Sequence, residues 1–196
     1  VFHIKMAHSE MFSHFRELVK PTTGDRTMDD KTFFVWSDTM NTGIMEIDDQ
    51  HKMLVGILNR LFHAVVQREN NEITIEILDT LVDYTKTHFG LEEKLLQDAG
   101  YNPTEFAAHQ QEHRAFIEKI SNAANKHLVE GKSVSFEIIN FLKHWLQEHI
   151  LITDKKYAEA LKSAGYCSKD WTNFANNAMA NKQQTTPKQK HWWKLW

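Results

Sequence analysis

Apolar residues recur at spacings of three and four from Thr32 to Gly165, and nowhere in that stretch is there the sustained alternation that strands need. Four helices are predicted. The first, about 47–68, carries Ile47, His51, Leu54, Leu58, Phe62 and Val65 on one stripe. The second, about 72–99, stripes Ile73, Ile77, Leu81, Tyr84, His88, Leu91, Glu92 and Leu95, with Gly100 where a C-terminal cap belongs. The third opens with Asn102 as N-cap, Pro103 at the first helical position and Glu105 two residues on. It runs to about Val129 and stripes Phe106, His109, His113, Phe116, Ile117, Ile120 and Ala124. The fourth starts near Ser135 and stripes Ile138, Leu142, Trp145, Leu146, His149 and Ile152, with Gly165 past its end. Long helices joined by links of a few residues pack economically as an up-down-up-down bundle. The expected fold is therefore an all-α, antiparallel four-helix bundle over residues 33–166, with appendages at 1–32 and 167–196.

Several positions on these apolar stripes are not apolar, and counting along the helices brings them to one depth. His88 and Glu92, and His109 and His113, are each one helical turn apart, on either side of the turn Gly100 to Pro103. His51 lies about 19 residues before the first link and His88 about 18 after it; His113 lies about 19 before the third link and His149 about 17 after it. At roughly 1.5 Å per residue these agree to within a turn. A weak internal two-fold adds Asp154: His51 to His88 is 37 residues and His113 to His149 is 36, and each second helix then supplies a carboxylate, Glu92 or Asp154. Both of those helices close with Ala-Gly-Tyr, at 99–101 and 164–166. His109 has Ile47 as its counterpart, so one half offers three histidines and the other two. His149 and Asp154 are five residues apart, about 140° on an ideal helix, so a π-type widening is predicted between them.

Five imidazoles and two carboxylates in an apolar layer would carry a prohibitive desolvation cost if they bound nothing, which points to a metal centre. Nitrogen and oxygen donors without sulfur suit iron, manganese, zinc or copper, and seven side chains are too many for one ion. Two ions bridged by both carboxylates and by an oxide or hydroxide fill two octahedra except for one position, on the ion held by His51 and His88. The ion held by His109, His113 and His149 is complete. The single cysteine, Cys167, excludes an internal disulfide and a cysteine-based zinc site. A net charge of −3 suggests no nucleic-acid partner, and no apolar run approaches the roughly 20 residues that span a bilayer. A chain of 196 residues that starts at Val1 reads as one domain with appendages, processed or excised from something longer, so a missing signal peptide says little.

The stretches Ile47-Asp48-Asp49-Gln50-His51, His88-Phe89-Gly90-Leu91-Glu92-Glu93, His109-Gln110-Gln111-Glu112-His113 and Trp145-Leu146-Gln147-Glu148-His149-Ile150 through Asp154 resemble a bacterial hemerythrin. The likeness covers about 34–166 and matches all seven ligand positions, including the five-residue step. It implies a non-haem di-iron centre that binds dioxygen reversibly at the open position of the two-histidine iron. It also implies an apolar pocket there, with Trp145, Leu146 and Ile150, and with Leu91 or Leu95 added from helical phase. The expected function is oxygen carriage, storage or delivery to an oxygen-using partner, without enzymatic turnover. The alternatives are the oxygen or redox sensor of a larger signalling protein, and a di-iron peroxidase, oxidase or nitric-oxide reductase. A ferritin-like site would need Glu-x-x-His twice, and this chain has none. His63, His127, His144 and His191 fall off the layer and read as surface or second-shell residues; His3, His8 and His14 read as solvated.

The appendages carry no part of this pattern. Residues 5–19 form a candidate helix with Met11, Phe15 and Leu18 on one side, stopped by Pro21 and followed by a polar linker. Residues 173–190 have the composition of a flexible segment, and Trp192, Trp193 and Trp196 crowd three of the six tryptophans into the last five positions. Lys188, Lys190 and Lys194 beside them suit an anionic membrane surface, or a membrane-associated oxygen-using complex, at about 1 kcal/mol per lysine. The expected location is the cytoplasm, with the tail offering a peripheral contact to the inner membrane; a tail folded back on its own bundle is the alternative. Deleting residues 188–196 is expected to leave dioxygen binding intact while releasing the protein from membrane fractions, as cell fractionation would measure.

Overall fold

The computed structural model describes residues 32–130, 134–163 and 165. Among them are four long rods and no strand: α1 (Met45–Val66), α2 (Asn71–Asp98), α3 (Pro103–Glu130), and a fourth rod built from α4 (Phe136–Glu148), a π-helical segment (His149–Asp154) and α5 (Lys155–Ser163). α2 packs most extensively against its sequence neighbours α1 and α3, and the fourth rod closes the bundle against α1 and α3. This is the four-helix bundle that the apolar periodicity predicts, with helix ends within a few residues of those expected.

Local chemistry sets those ends. The Asn70 side chain caps α2 by accepting from the Ile73 N–H at 2.9 Å, and Asn102 Oδ1 accepts from Thr104 and Glu105 N–H at the start of α3. α2 stops at Gly100, whose φ of +66° lets the Tyr101 N–H reach the Leu96 carbonyl and the Gly100 N–H reach that of Gln97. This paired closure depends on a left-handed residue. In the first turn of α1, the buried Asp48 carboxylate takes Thr42 N–H, Thr42 O–H and Gly43 N–H from the segment before it, and Lys162 at the end of the fourth rod donates to the Thr42 carbonyl. Asn59 exchanges two hydrogen bonds with the Phe34 backbone, which lays the segment before α1 along the bundle.

The interior is divided. A large apolar cluster, with Leu54, Leu58, Leu61, Ile77, Leu81, Phe116, Ile120, Ile139, Leu142, Leu146 and Ile150, fills one side of the polar layer. A smaller one, with Ile44, Ile47, Leu91, Leu95, Leu96, Tyr157 and Leu161, fills the other. Two expectations are corrected here. Ile152, placed on the inner stripe by regular helical phase, is 67% exposed, because the π segment turns it outward. His127, expected at the surface or beside the ligands, is buried far along α3, since it continues the inward spacing of Phe116 and Ile120. The expected helix at 5–19 and the tryptophan-rich tail lie outside the described residues.

Gly90 sits on the exposed face of α2, where an added Cβ would meet nothing within 4 Å. Gly90→Ala is therefore expected to stabilise the fold by about 1 kcal/mol, whereas Gly100→Ala, at positive φ, is expected to destabilise it by at least a comparable amount. Denaturant titration of the two variants should move the midpoint in opposite directions.

Candidate metal centre

His51 comes from α1, His88 and Glu92 from α2, His109 and His113 from α3, and His149 and Asp154 from the two ends of the π segment; all seven are buried. They meet in one layer. Glu92, His109, His113 and His149 each present a donor atom, all within 4.8 Å of one another, and His51, His88 and Glu92 do the same. The predicted π widening is present over His149–Asp154, and it lets residues five apart both face inward.

Glu92 divides its oxygens between these groups. Oε1 lies 3.4 Å from His88 Nε2 and 3.8 Å from His51 Nε2, while Oε2 lies 3.6 Å from His109 Nε2 and 3.4 Å from His113 Nε2. Asp154 also reaches both ways, with Oδ2 3.2 Å from His51 Nε2 and Oδ1 3.2 Å from His149 Nε2.

Each brace on a histidine comes from a residue beside a ligand on the preceding rod. Gln50 Oε1 on α1 meets His88 Nδ1 at 2.7 Å, Glu93 Oε1 on α2 meets His113 Nδ1 at 2.9 Å, and Glu112 Oε2 on α3 meets His149 Nδ1 at 2.8 Å. All three acceptors are oxygens, so each Nδ1 carries its proton and each Nε2 turns a lone pair into the layer. Gln110 donates to Glu93 and Thr153 to Glu112. The Phe89 ring stacks on His113 at 3.7 Å, and Trp145 stacks on His149 at 4.3 Å. Tyr157, fully buried, donates its phenol to Glu92 Oε1. Burial and the nearby carboxylates of Glu92 and Asp154 push its pKa up, so the proton stays on the phenol.

Two features test whether a cation fits. The Nε2 atoms of His113 and His149 stand 3.1 Å apart with lone pairs facing, a repulsive arrangement unless positive charge lies between them. The buried atoms without a hydrogen-bond partner include His51 Nε2, His109 Nε2, Glu92 Oε2 and both Asp154 oxygens, the same atoms that face the layer. Each would cost about 1–3 kcal/mol if left unsatisfied. Electrostatics agree. Burial would push the Glu92 carboxyl up, but the surrounding imidazoles hold it well below the usual range. His88 is pushed down to about 3 by burial and is a neutral donor. For His51, burial is outweighed by Asp154 and Glu92, which hold it up at about 9: two buried carboxylates call for a cation, whether a proton or a metal ion. Nitrogen and oxygen donors fit a pair of first-row ions.

The five residues expected to line one apolar pocket are divided by the layer. Leu146 and Ile150 belong to the large cluster, with Trp145 packed against it beside His149, while Leu91 and Leu95 belong to the small cluster. Helical phase predicts that these side chains point inward; their depth decides which side of the layer they occupy. Gln50, Glu93, Glu112 and Tyr157 were not singled out from the sequence. Three of them adjoin a ligand and lie within the stretches that carry the resemblance, the only signs they give.

The family model of the hemerythrin HHE cation binding domain matches residues 42–161. A bacteriohemerythrin of Pseudomonas aeruginosa is 39% identical over 128 residues, covering 65% of this chain and 81% of the relative. One from Methylococcus capsulatus is 32% identical over 122 residues, covering 62% and 91%. A solved wild-type hemerythrin superposes with a TM-score of 0.61 at 30% identity, over 66% of this chain and 98% of that one.

Tyr157→Phe keeps the ring and removes the donor to a buried carboxylate, so it is expected to cost about 1.5–3 kcal/mol of unfolding free energy, read by denaturant titration.

Proposed function

Because this chain belongs to the hemerythrin HHE cation-binding family, we propose that it holds a non-haem di-iron centre and binds dioxygen reversibly, for carriage, storage or delivery to an oxygen-using partner. On this reading His51 and His88 hold one iron and His109, His113 and His149 the other. Glu92 and Asp154 would be shared between the two, and an oxo or hydroxo group would complete the centre. The observation that carries the proposal is the division of Glu92 and Asp154, each with one oxygen toward either histidine group.

When bound, the iron pair supplies the electrons that make dioxygen binding reversible. The chain's own residues do the rest. Gln50, Glu93 and Glu112 fix the rotation of three imidazoles. The two apolar clusters enclose the layer and keep water from it, with Leu146 and Ile150 on one side and Leu91 and Leu95 on the other. Tyr157 holds its proton in a hydrogen bond to Glu92. A layer so poor in acidic protons favours holding dioxygen over cleaving it, which supports a binder over an enzyme.

The test is anaerobic reduction of the iron-loaded protein followed by air. A charge-transfer spectrum that forms with dioxygen and reverses on its removal is expected. Steady turnover of peroxide or nitric oxide above that of free iron would instead support an enzyme. His109 is the ligand missing from the pseudo-symmetric half, so its loss would open a second position to water. His109→Ala is expected to retain metal, by elemental analysis, but not to hold stable dioxygen; reversible dioxygen binding with an unchanged oxidised lifetime would refute the asymmetry.

A further inference from the structure

We propose that Gln50, Glu93 and Glu112, besides orienting imidazoles, give the metal pair an electronic polarity, with the three-histidine ion electron-rich and the two-histidine ion electron-poor. The inference rests on the di-iron reading above. An imidazole is made a stronger donor at Nε2 when the acceptor of its Nδ1 proton is a carboxylate, because a charge-assisted hydrogen bond draws that proton further from the ring.

The braces are not alike on the two sides. In the three-histidine group, His113 leans on the Glu93 carboxylate at 2.9 Å and His149 on the Glu112 carboxylate at 2.8 Å. Both acceptors are carboxylates, each held by a further hydrogen bond, from Gln110 to Glu93 and from Thr153 to Glu112. In the two-histidine group, His88 leans on the neutral amide oxygen of Gln50 at 2.7 Å. His51 Nδ1 is buried and has no hydrogen-bond partner among the described residues.

Tyr157 adds to the difference. Its phenol donates to Glu92 Oε1, the oxygen turned toward His88 and His51, and draws charge from it; Oε2, turned toward His109 and His113, has no such donor. The two carboxylate braces enrich the three-histidine side more than the single amide brace enriches the other, and the phenol draws charge from the two-histidine side. Ring orientation alone does not account for the choice, since an amide holds His88 as closely as carboxylates hold the other two. With iron bound, this polarity would make the three-histidine ion the first to be oxidised and the two-histidine ion the better Lewis acid.

The test is a mediated redox titration of the full iron-loaded chain with dithionite, resolving the two one-electron steps optically. Gln50→Glu enriches the poor ion, so it should lower the mean potential and narrow the gap between the steps. Glu93→Gln impoverishes the rich ion, so it should raise the mean potential and also narrow the gap. Opposite shifts of the mean with the same narrowing support the polarity; shifts of one sign, or none, overturn it. If Gln50→Glu does not take up iron, Gln50→Leu should widen the gap, and Glu112→Gln, at a side chain 45% exposed, should act like Glu93→Gln. A widened gap in Glu112→Gln or a narrowed one in Gln50→Leu would likewise overturn it. A wild-type protein that takes up no iron pair, or whose spectrum does not reverse, defeats the di-iron reading itself, an outcome distinct from failure of the polarity alone.

Discussion

Two buried carboxylates in the middle of an apolar bundle are the constraint on which the rest of the structure depends. Glu92 and Asp154 are both fully buried, and an isolated carboxylate at such a depth would carry a penalty no small domain could absorb. The five imidazoles that surround them answer that charge in part, and the unpartnered oxygens and nitrogens facing one another leave the remainder to a cation. The four rods are consequently held at one mutual height. A slip of one rod by a single turn, about 5.4 Å, would carry its donors out of reach of the shared carboxylates.

The braces extend this constraint outward. Gln50, Glu93 and Glu112 sit beside ligands on one rod and secure a ligand on the next, so each histidine orientation depends on the packing of two helices rather than one. Phe89 and Trp145 then fix two of the imidazole planes by stacking. Rigid elements that hold donors and support them from behind suit a site that must keep its geometry through changes in charge.

Much of this is legible in the sequence, for a physical reason. Helical phase and axial rise are nearly constant, so polar residues on an apolar stripe can be assigned a depth by counting, and His51, His88, Glu92, His109, His113 and His149 meet as counted. The five-residue step to Asp154 is incompatible with regular geometry and so announces the π segment. The braces are less legible because they depend on the separation and rotation of neighbouring rods. A Glu93 or Glu112 beside a ligand looks like any solvated position until the facing helix is placed. Tyr157 is hidden differently: it falls where a core aromatic is expected, and only its hydrogen bond to Glu92 distinguishes it from packing. Leu91, Leu95, Leu146 and Ile150 read alike because period alone cannot say on which side of a polar layer an inward residue lies.

The π segment has a further consequence, for how such a chain tolerates insertions. One extra residue in a regular helix rotates everything beyond it by about 100°, which would turn a buried face to solvent. Here the surplus is taken up within His149–Asp154, at the cost of exposing Ile152, and Tyr157, Ala158 and Leu161 beyond it remain in the core. The two pseudo-equivalent halves can thus differ by one residue between histidine and carboxylate, four from His88 to Glu92 and five from His149 to Asp154, while the helical register on either side is preserved.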